Sequence, residues 1–148
     1  MAVRVQEDDF DPGAELEALA ARDTRIGAVV SFTGLVRGTG DVETMTLEHY
    51  PGMTEKARAD IEAEARDRWP LQASLVIHRI GPLRPGERIV FVATASRHRG
   101  AAFEAAEFLM DYLKTRAPFW KKEVTADGTA RWVDARESDE AATARWTR

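Results

Sequence analysis

Residues 97–122 hold the side chains best suited to chemistry. The segment opens with Arg97-His98-Arg99-Gly100 and closes with Pro118-Phe119-Trp120-Lys121-Lys122. It carries six Arg/Lys against three Asp/Glu, a balance of +3, inside a chain whose net charge is −4. Cations interleaved with aromatics in an acidic protein point to a pocket for a small anion. Nucleic acid would call for a basic protein or a broad basic face.

Between its ends the segment reads as a helix from about Gly100 to Arg116. At about 100° per residue, Phe103, Ala106, Met110 and Leu113 share one broad face. Lys114 is eleven residues from Phe103 and projects only about 20° away from it. A lysine on an apolar stripe has two readings. Desolvation lowers its proton affinity and suits it to carrying protons or acting as a nucleophile. Alternatively it snorkels at the stripe's end, where a helix C-terminus welcomes a cation. Spacing alone leaves both open. Lys121 lies beyond Pro118, where the chain must bend, so the two lysines can converge on one pocket walled by Phe119 and Trp120. The competing reading makes those aromatics core and leaves Lys121 and Lys122 solvated.

His98 and Arg99 stand at the opposite helix end, where a helix N-terminus with Arg and His suits a phosphate. Arg99 and Lys114 are fifteen residues apart, roughly 22 Å along the axis. One small ligand cannot touch both ends within a subunit, so a shared site predicts a two-fold dimer. Arg37 ends a strand just before Gly38-Thr39-Gly40, a place that often bears function, though an ordinary surface arginine fits too. That glycine pair is too far from a helix start to be a nucleotide loop. His49-Tyr50 and His78-Arg79 read as structural strand ends. Glu62, Glu64 and Asp67 read as a solvated helix face.

Several elements must position these groups. Asp11-Pro12 predicts an N-cap and first helical residue, with Leu16, Leu19 and Ala20 on one side. Ile26–Val36 and Val42–Tyr50 read as strands expected to pair across the intervening loop. A helix from Thr54 to Arg68 carries Ala57, Ile61 and Ala65 at four-residue steps and ends at Trp69-Pro70. Ala73–Ile80 and Arg88–Ala95 are apolar strands. Lys122–Thr125 and Ala130–Val133 flank a hairpin signal, Asp127-Gly128. Short connections predict an α+β fold with mainly antiparallel strands.

At 148 residues, 44% hydrophobic and 31% charged, the chain reads as a single domain with a polar tail from about residue 137. Cysteine is absent, which removes disulfides, thiol nucleophiles and Cys-ligated zinc. The three histidines, 49, 78 and 98, are too scattered to predict a metal site. No resident cofactor is expected. No signal peptide or membrane-spanning run is evident, so the expected location is cytoplasmic.

Several uncommon strings occur in order: Phe32-Thr33-Gly34-Leu35-Val36-Arg37, Leu47-Glu48-His49-Tyr50-Pro51-Gly52-Met53-Thr54-Glu55-Lys56-Ala57, Arg68-Trp69-Pro70, Val76-Ile77-His78-Arg79-Ile80-Gly81, His98-Arg99 and the run from Asp111 to Lys122. Over about Ile26 to Trp146 the chain resembles the large, catalytic subunit of molybdopterin synthase. The resemblance implies an α/β-hammerhead fold and a central homodimer. Each copy would bind a small ubiquitin-like sulfur carrier, making a heterotetramer. The carrier's Gly-Gly thiocarboxylate would deliver sulfur to cyclic pyranopterin monophosphate, and two transfers would form the dithiolene of molybdopterin. Lys114 and Lys121 would be the principal catalytic residues. Arg37, His98 and Arg99 would bind the substrate, the last two from the dimer mate. Lys122 and Glu123 would border the pocket. Phe32, Leu35, Val36, Met110 and Arg136 would line it. Two features depart from the pattern: Gly38–Glu43 is shorter than in many members, and Leu35 stands where lysine is common.

Two rival functions fit the residues alone. One is a non-catalytic dimeric scaffold that captures a ubiquitin-like tail. The other is a single-stranded RNA module stacking bases on Phe119 and Trp120, which the acidic total opposes.

Overall fold

The computed structural model describes residues 2–38, 42–49, 53–115, 119–125, 127–133 and 146. In chain order the elements are β1 (Ala2–Gln6), α1 (Pro12–Ala20), β2 (Ala28–Leu35), β3 (Val42–His49), α2 (Met53–Arg68), β4 (Leu71–Arg79), β5 (Gly81–Leu83), β6 (Arg88–Ser96), α3 (Arg99–Thr115), β7 (Phe119–Thr125) and β8 (Ala130–Val133). One four-stranded sheet has the order β1-β4-β6-β2, the other β5-β3-β7-β8. Among the described residues only β1 and β4 pair in parallel. The expected α+β class with mainly antiparallel strands is what the chain adopts.

The first sheet is covered on both faces, which is why β4 and β6 are almost continuously apolar. On one face Val76, Val90 and Val92 pack with Ile61 and Ala65 of α2 and Phe108, Leu109, Tyr112 and Leu113 of α3. On the other, Leu75, Ile77, Phe91 and Ala93 pack with Phe10 and with Leu19 of α1. Asp11 caps α1 as its sequence suggests, accepting from the Ala14 N–H at 3.2 Å, with Pro12 following. Leu19 is buried and Leu16 packs beside it, but Ala20 is exposed.

Two strands escaped the sequence reading. Val3 and Val5 alternate too briefly to stand out, yet β1 adds to β4 in parallel. β5 falls where Gly81-Pro82 signals a loop. It survives as a three-residue edge strand, where proline's missing N–H is tolerated. The expected pairing of β2 with β3 does not form. β2 spends its hydrogen bonds on β6, and β3 pairs with β5 and β7. After β2 the Val36 N–H bonds Glu87 O (2.9 Å) and its carbonyl accepts from Gly86 N–H (2.8 Å). The chain is thus led past the end of β6 into the second sheet. Val36, Leu47 and Leu83 form the apolar joint between the sheets. The Asp127-Gly128 hairpin forms, with Gly128 at φ 87° and the Asp127 carboxylate accepting from the Thr125 hydroxyl and the Thr129 N–H.

Glu62 corrects the expectation of a solvated helix face. It is 7% exposed and accepts a 2.8 Å hydrogen bond from the Ser74 hydroxyl on β4. Burial pushes its carboxyl above the ordinary glutamate value, while the Ser74 hydrogen bond acts in the opposite direction. The folded chain therefore holds this proton more tightly than the unfolded one. The resulting stability is present below the ordinary glutamate range and is lost as pH rises through the folded value. Glu62→Gln keeps an oxygen for Ser74 and removes the charge. We expect its Tm to exceed the parent's at pH 8 by roughly 2–4 °C, the gap closing towards pH 4 in parallel thermal melts.

The lone Trp146 is an anchor. Its indole stands edge-on to Trp69 and to Phe108, each at 5.6 Å, and donates to Asp111 Oδ2 at 2.6 Å. Arg68 holds its carbonyl at 2.8 Å. The tail thus returns to α2 and α3 at its far end.

Candidate functional site

β6 ends at Ser96 and α3 begins three residues later, so the helix folds back antiparallel over the strand. The Thr94 hydroxyl donates to Ala102 O at 2.7 Å near one end, and Val90 packs with the helix's second half near the other. β2 lies beside β6 in antiparallel register, from Ala28 opposite Ser96 to Leu35 opposite Arg88. The two ends of β2 therefore mark the two ends of α3. Lys114 lies towards Gly34 and Leu35; His98 and Arg99 lie towards Gly27 and Ala28.

The helix is rotated from the expected orientation. Phe103, expected to share one broad apolar face with Ala106, Met110 and Leu113, is 60% exposed. Ala106 and Leu113 are buried as that face suggests, and Ala102, Ala105, Phe108, Leu109 and Tyr112 are buried with them. The apolar arc is wide, and the larger Phe108–Tyr112 pair, with ring centroids 4.3 Å apart, takes the core. Phe103, Met110 and Lys114 still fall within about 40° of one another, but along the helix flank. Lys114 is exposed there, so the apolar stripe does not bury it.

Phe32 joins this flank. Its register partner Val92 belongs to the cluster beneath α3, so Phe32 stands on the α3 side of the sheet and is 42% exposed. Leu35 is 56% exposed, Val36 is buried in the joint, and Arg37 is exposed beyond it. In the second sheet Lys121 pairs in register with Leu47, which packs on Val36. Arg37 follows one member of this apolar joint in the chain, and Lys121 stands opposite another in register. Lys122 and Glu123 follow on β7, half-buried, opposite Thr46 and Met45. The side chains of Phe119, Trp120 and Lys121, along with Pro118 and Arg136, lie outside the described residues.

His98 and Arg99 are exposed at the other end. The tight turn carrying them is pinned by Ser96 and Gly27. Asp23 precedes this corner. The Arg25 guanidinium, with its backbone N–H, holds the Asp23 carboxyl down at about 2, and Arg97 contributes in the same direction. The chain therefore places Phe32, Leu35, Val36, Arg37 and Lys114 towards one end of the β2–α3 layer, and Val36 shares an apolar cluster with Leu47, the register partner of Lys121. The chain does not bring His98 or Arg99 to them: a 17-residue helix intervenes, about 22 Å between Arg99 and Lys114. Two concavities lie along α2, one over Ala57, Asp60, Ile61 and Glu64 and one beside Arg66 and Trp69. Arg37, His98, Arg99 and Lys114 are exposed. Among the described residues no group of three His, Asp or Glu is placed to hold a metal ion, and no helix is long and apolar enough to cross a membrane.

Residues 5–116 match the family described as MoaE protein. A molybdopterin synthase catalytic subunit from Pseudomonas aeruginosa is 62% identical over 149 aligned residues, covering 99% of each chain. This chain belongs to the MoaE family. A second relative of the same name, from Ralstonia nicotianae, is 63% identical over 97% of this chain and 83% of its own. The solved MoaE protein of Burkholderia ambifaria superposes with a TM-score of 0.85 at 56% identity, covering 99% of both chains. The MoaE likeness thus takes in both sheets and all three helices.

Three polar or backbone features of this MoaE chain went unread in the sequence. Arg58 is fully buried on α2, where an arginine one residue from the apolar step at Ala57 looks like solvent-facing charge. Ser96 and Gly27 form the corner beneath His98. A small residue placed just before a strand was the available signal for Gly27.

Proposed function

We propose that this chain is the catalytic subunit of a molybdopterin synthase, moving sulfur from the C-terminal thiocarboxylate of a small ubiquitin-like carrier to cyclic pyranopterin monophosphate. The observation that carries the reading is the split of the cations. Lys114 stands at one end of a helix, on the side where β2 runs on towards Arg37, and His98-Arg99 stand about 22 Å away at the other. Two copies related by a two-fold axis bring opposite ends together. The exposed Phe32, Leu35 and Phe103 on the β2–α3 flank give such a partner apolar surface to cover. With one carrier on each copy the assembly is a heterotetramer.

The roles follow from charge and place. Arg37 with the mate's His98 and Arg99 holds the cyclic phosphate, and Lys122 and Glu123 border the pterin with Phe32, Leu35, Val36, Met110 and Arg136. The carrier's extended tail brings its thiocarboxylate to Lys114 and Lys121. Sulfur bonds to a side-chain carbon of the pterin, whose oxygen substituent departs as water or with the opening cyclic phosphate. Water then cleaves the carrier's acyl–sulfur bond, releasing it as a carboxylate through a tetrahedral oxyanion that the lysines stabilise. Lys114, enclosed once tail and mate cover it, also moves protons during addition. The whole chain works as one domain, in the cytoplasm, with no resident cofactor.

Reconstitution tests this. Purified chain, thiocarboxylated carrier and cyclic pyranopterin monophosphate are mixed, and dithiolene product is sought by mass spectrometry. Product with release of carrier carboxylate is expected. Carrier binding without product from well-folded components would leave only the scaffold.

A further inference from the structure

We propose that Gly27 is a positioning residue for His98 and Arg99: its missing side chain lets the start of β2 press on the Arg97 carbonyl and so sets the turn from which both cations project. The inference rests on the substrate-binding role just given to those two residues.

An ideal Cβ on Gly27 would lie 2.3 Å from Arg97 O and 3.3 Å from Arg97 C. The obstacle is backbone, which cannot swing aside as the end of a side chain can. Size, not left-handed backbone geometry, is therefore what excludes a larger residue, since among the described residues the positive-φ glycines are Gly81, Gly86 and Gly128. The same corner is tied from several sides. The Gly27 N–H donates to Ser96 O at 3.0 Å, and Ser96 is fully buried. The Ser96 hydroxyl donates to Pro70 O at 2.8 Å and accepts from the His98 N–H at 3.5 Å. The His98 carbonyl then accepts from Ala102 N–H at 3.4 Å, in the first turn of α3.

The Arg97 carbonyl and the His98 N–H belong to one planar peptide group. Relieving a contact at 2.3 Å needs a shift of about 1 Å, to reach ordinary van der Waals distance. A carbonyl moved that far tilts its peptide plane, turns the His98 N–H from Ser96, and re-aims His98 and Arg99. Misplacement of that size in a binding group costs up to about 100-fold in rate or affinity. Lys114, at the far end of α3, stays where it is.

The test is Gly27→Ala in the full assembly with carrier. We expect KM for cyclic pyranopterin monophosphate to rise about 10- to 100-fold, carrier Kd to stay within about twofold, and the His98 ring resonances to move in NMR spectra. A KM within about twofold of the parent, or a carrier Kd that moves as far as KM, overturns the proposal. Loss of stability alone, read well below Tm, does not produce the split. If Gly27→Ala does not fold, Ser96→Ala decides: it removes the hydroxyl under His98, and a KM rise of about 3- to 10-fold supports the proposal while an unchanged KM ends it. A parent chain that makes no product refutes the functional reading instead. The His98 resonances then judge Gly27 alone, and unchanged resonances reject it.

Discussion

Lys114→Ala is expected to slow sulfur transfer by about 10²- to 10³-fold, the range for losing one proton carrier or one oxyanion-stabilising charge. The substitution is structurally mild. Lys114 is exposed in the last turn of α3, its neighbour Leu113 carries the packing, and alanine favours helix. Stability should change by no more than about 0.5 kcal/mol. Single-turnover mass spectrometry reads the rate, and titration of the carrier reads its affinity, which should hold within about threefold. A rate within threefold of the parent would remove Lys114 from the chemistry. Intact turnover with weakened carrier binding would make it a docking residue. Lys114→Arg separates charge from proton movement. Arginine keeps the positive charge but does not release a proton, so recovery of activity would assign a purely electrostatic role.

Mixing two inactive variants should restore about a quarter of the parent's activity. A His98→Ala subunit retains Lys114, and a Lys114→Ala subunit retains His98. In a mixed two-fold dimer one composite site has both and the other has neither. Random exchange at equal amounts makes about half the dimers mixed, each with one working site of two, hence about a quarter overall. Differently tagged subunits and native mass spectrometry confirm the exchange. Activity no higher than that of the separate variants, in a sample shown to contain mixed dimers, rules out a site shared across the two-fold axis. The prediction rests on helix length: no rotamer of His98 spans about 22 Å.

The strong local signals translated directly into structure. The Asp11-Pro12 cap, the Asp127-Gly128 hairpin, the apolar β4 and β6, and the helix bearing Lys114 are all within a residue or two of where their spacing predicts them. Each depends on neighbours in sequence: a side chain that reaches the next turn, a glycine at positive φ, or a run with no polar break. Family membership was legible too, because uncommon strings in a fixed order survive divergence. The separation of the cations needed only the rise per residue of a helix.

Other features depend on what lies across space, which no local pattern encodes. β2 and β3 look like a hairpin along the chain, but a strand's hydrogen bonds go to whichever edge is presented, and β6 and β7 present theirs. The turn of α3 that exposes Phe103 follows from competition between Phe103 and the Phe108–Tyr112 pair for one core. Glu62 is charged and sits on a helix, yet Ser74 on β4 draws it inside. The Gly27 contact with Arg97 joins residues seventy positions apart. Sequence by itself determined most of the elements (not the short strands β1 and β5), the family and the separation of the cations, because these are set by chemistry repeating along the chain. Tertiary structure alone decided strand partners, the face α3 buries and the corner under His98, because burial and close contact are relations between distant parts of the chain.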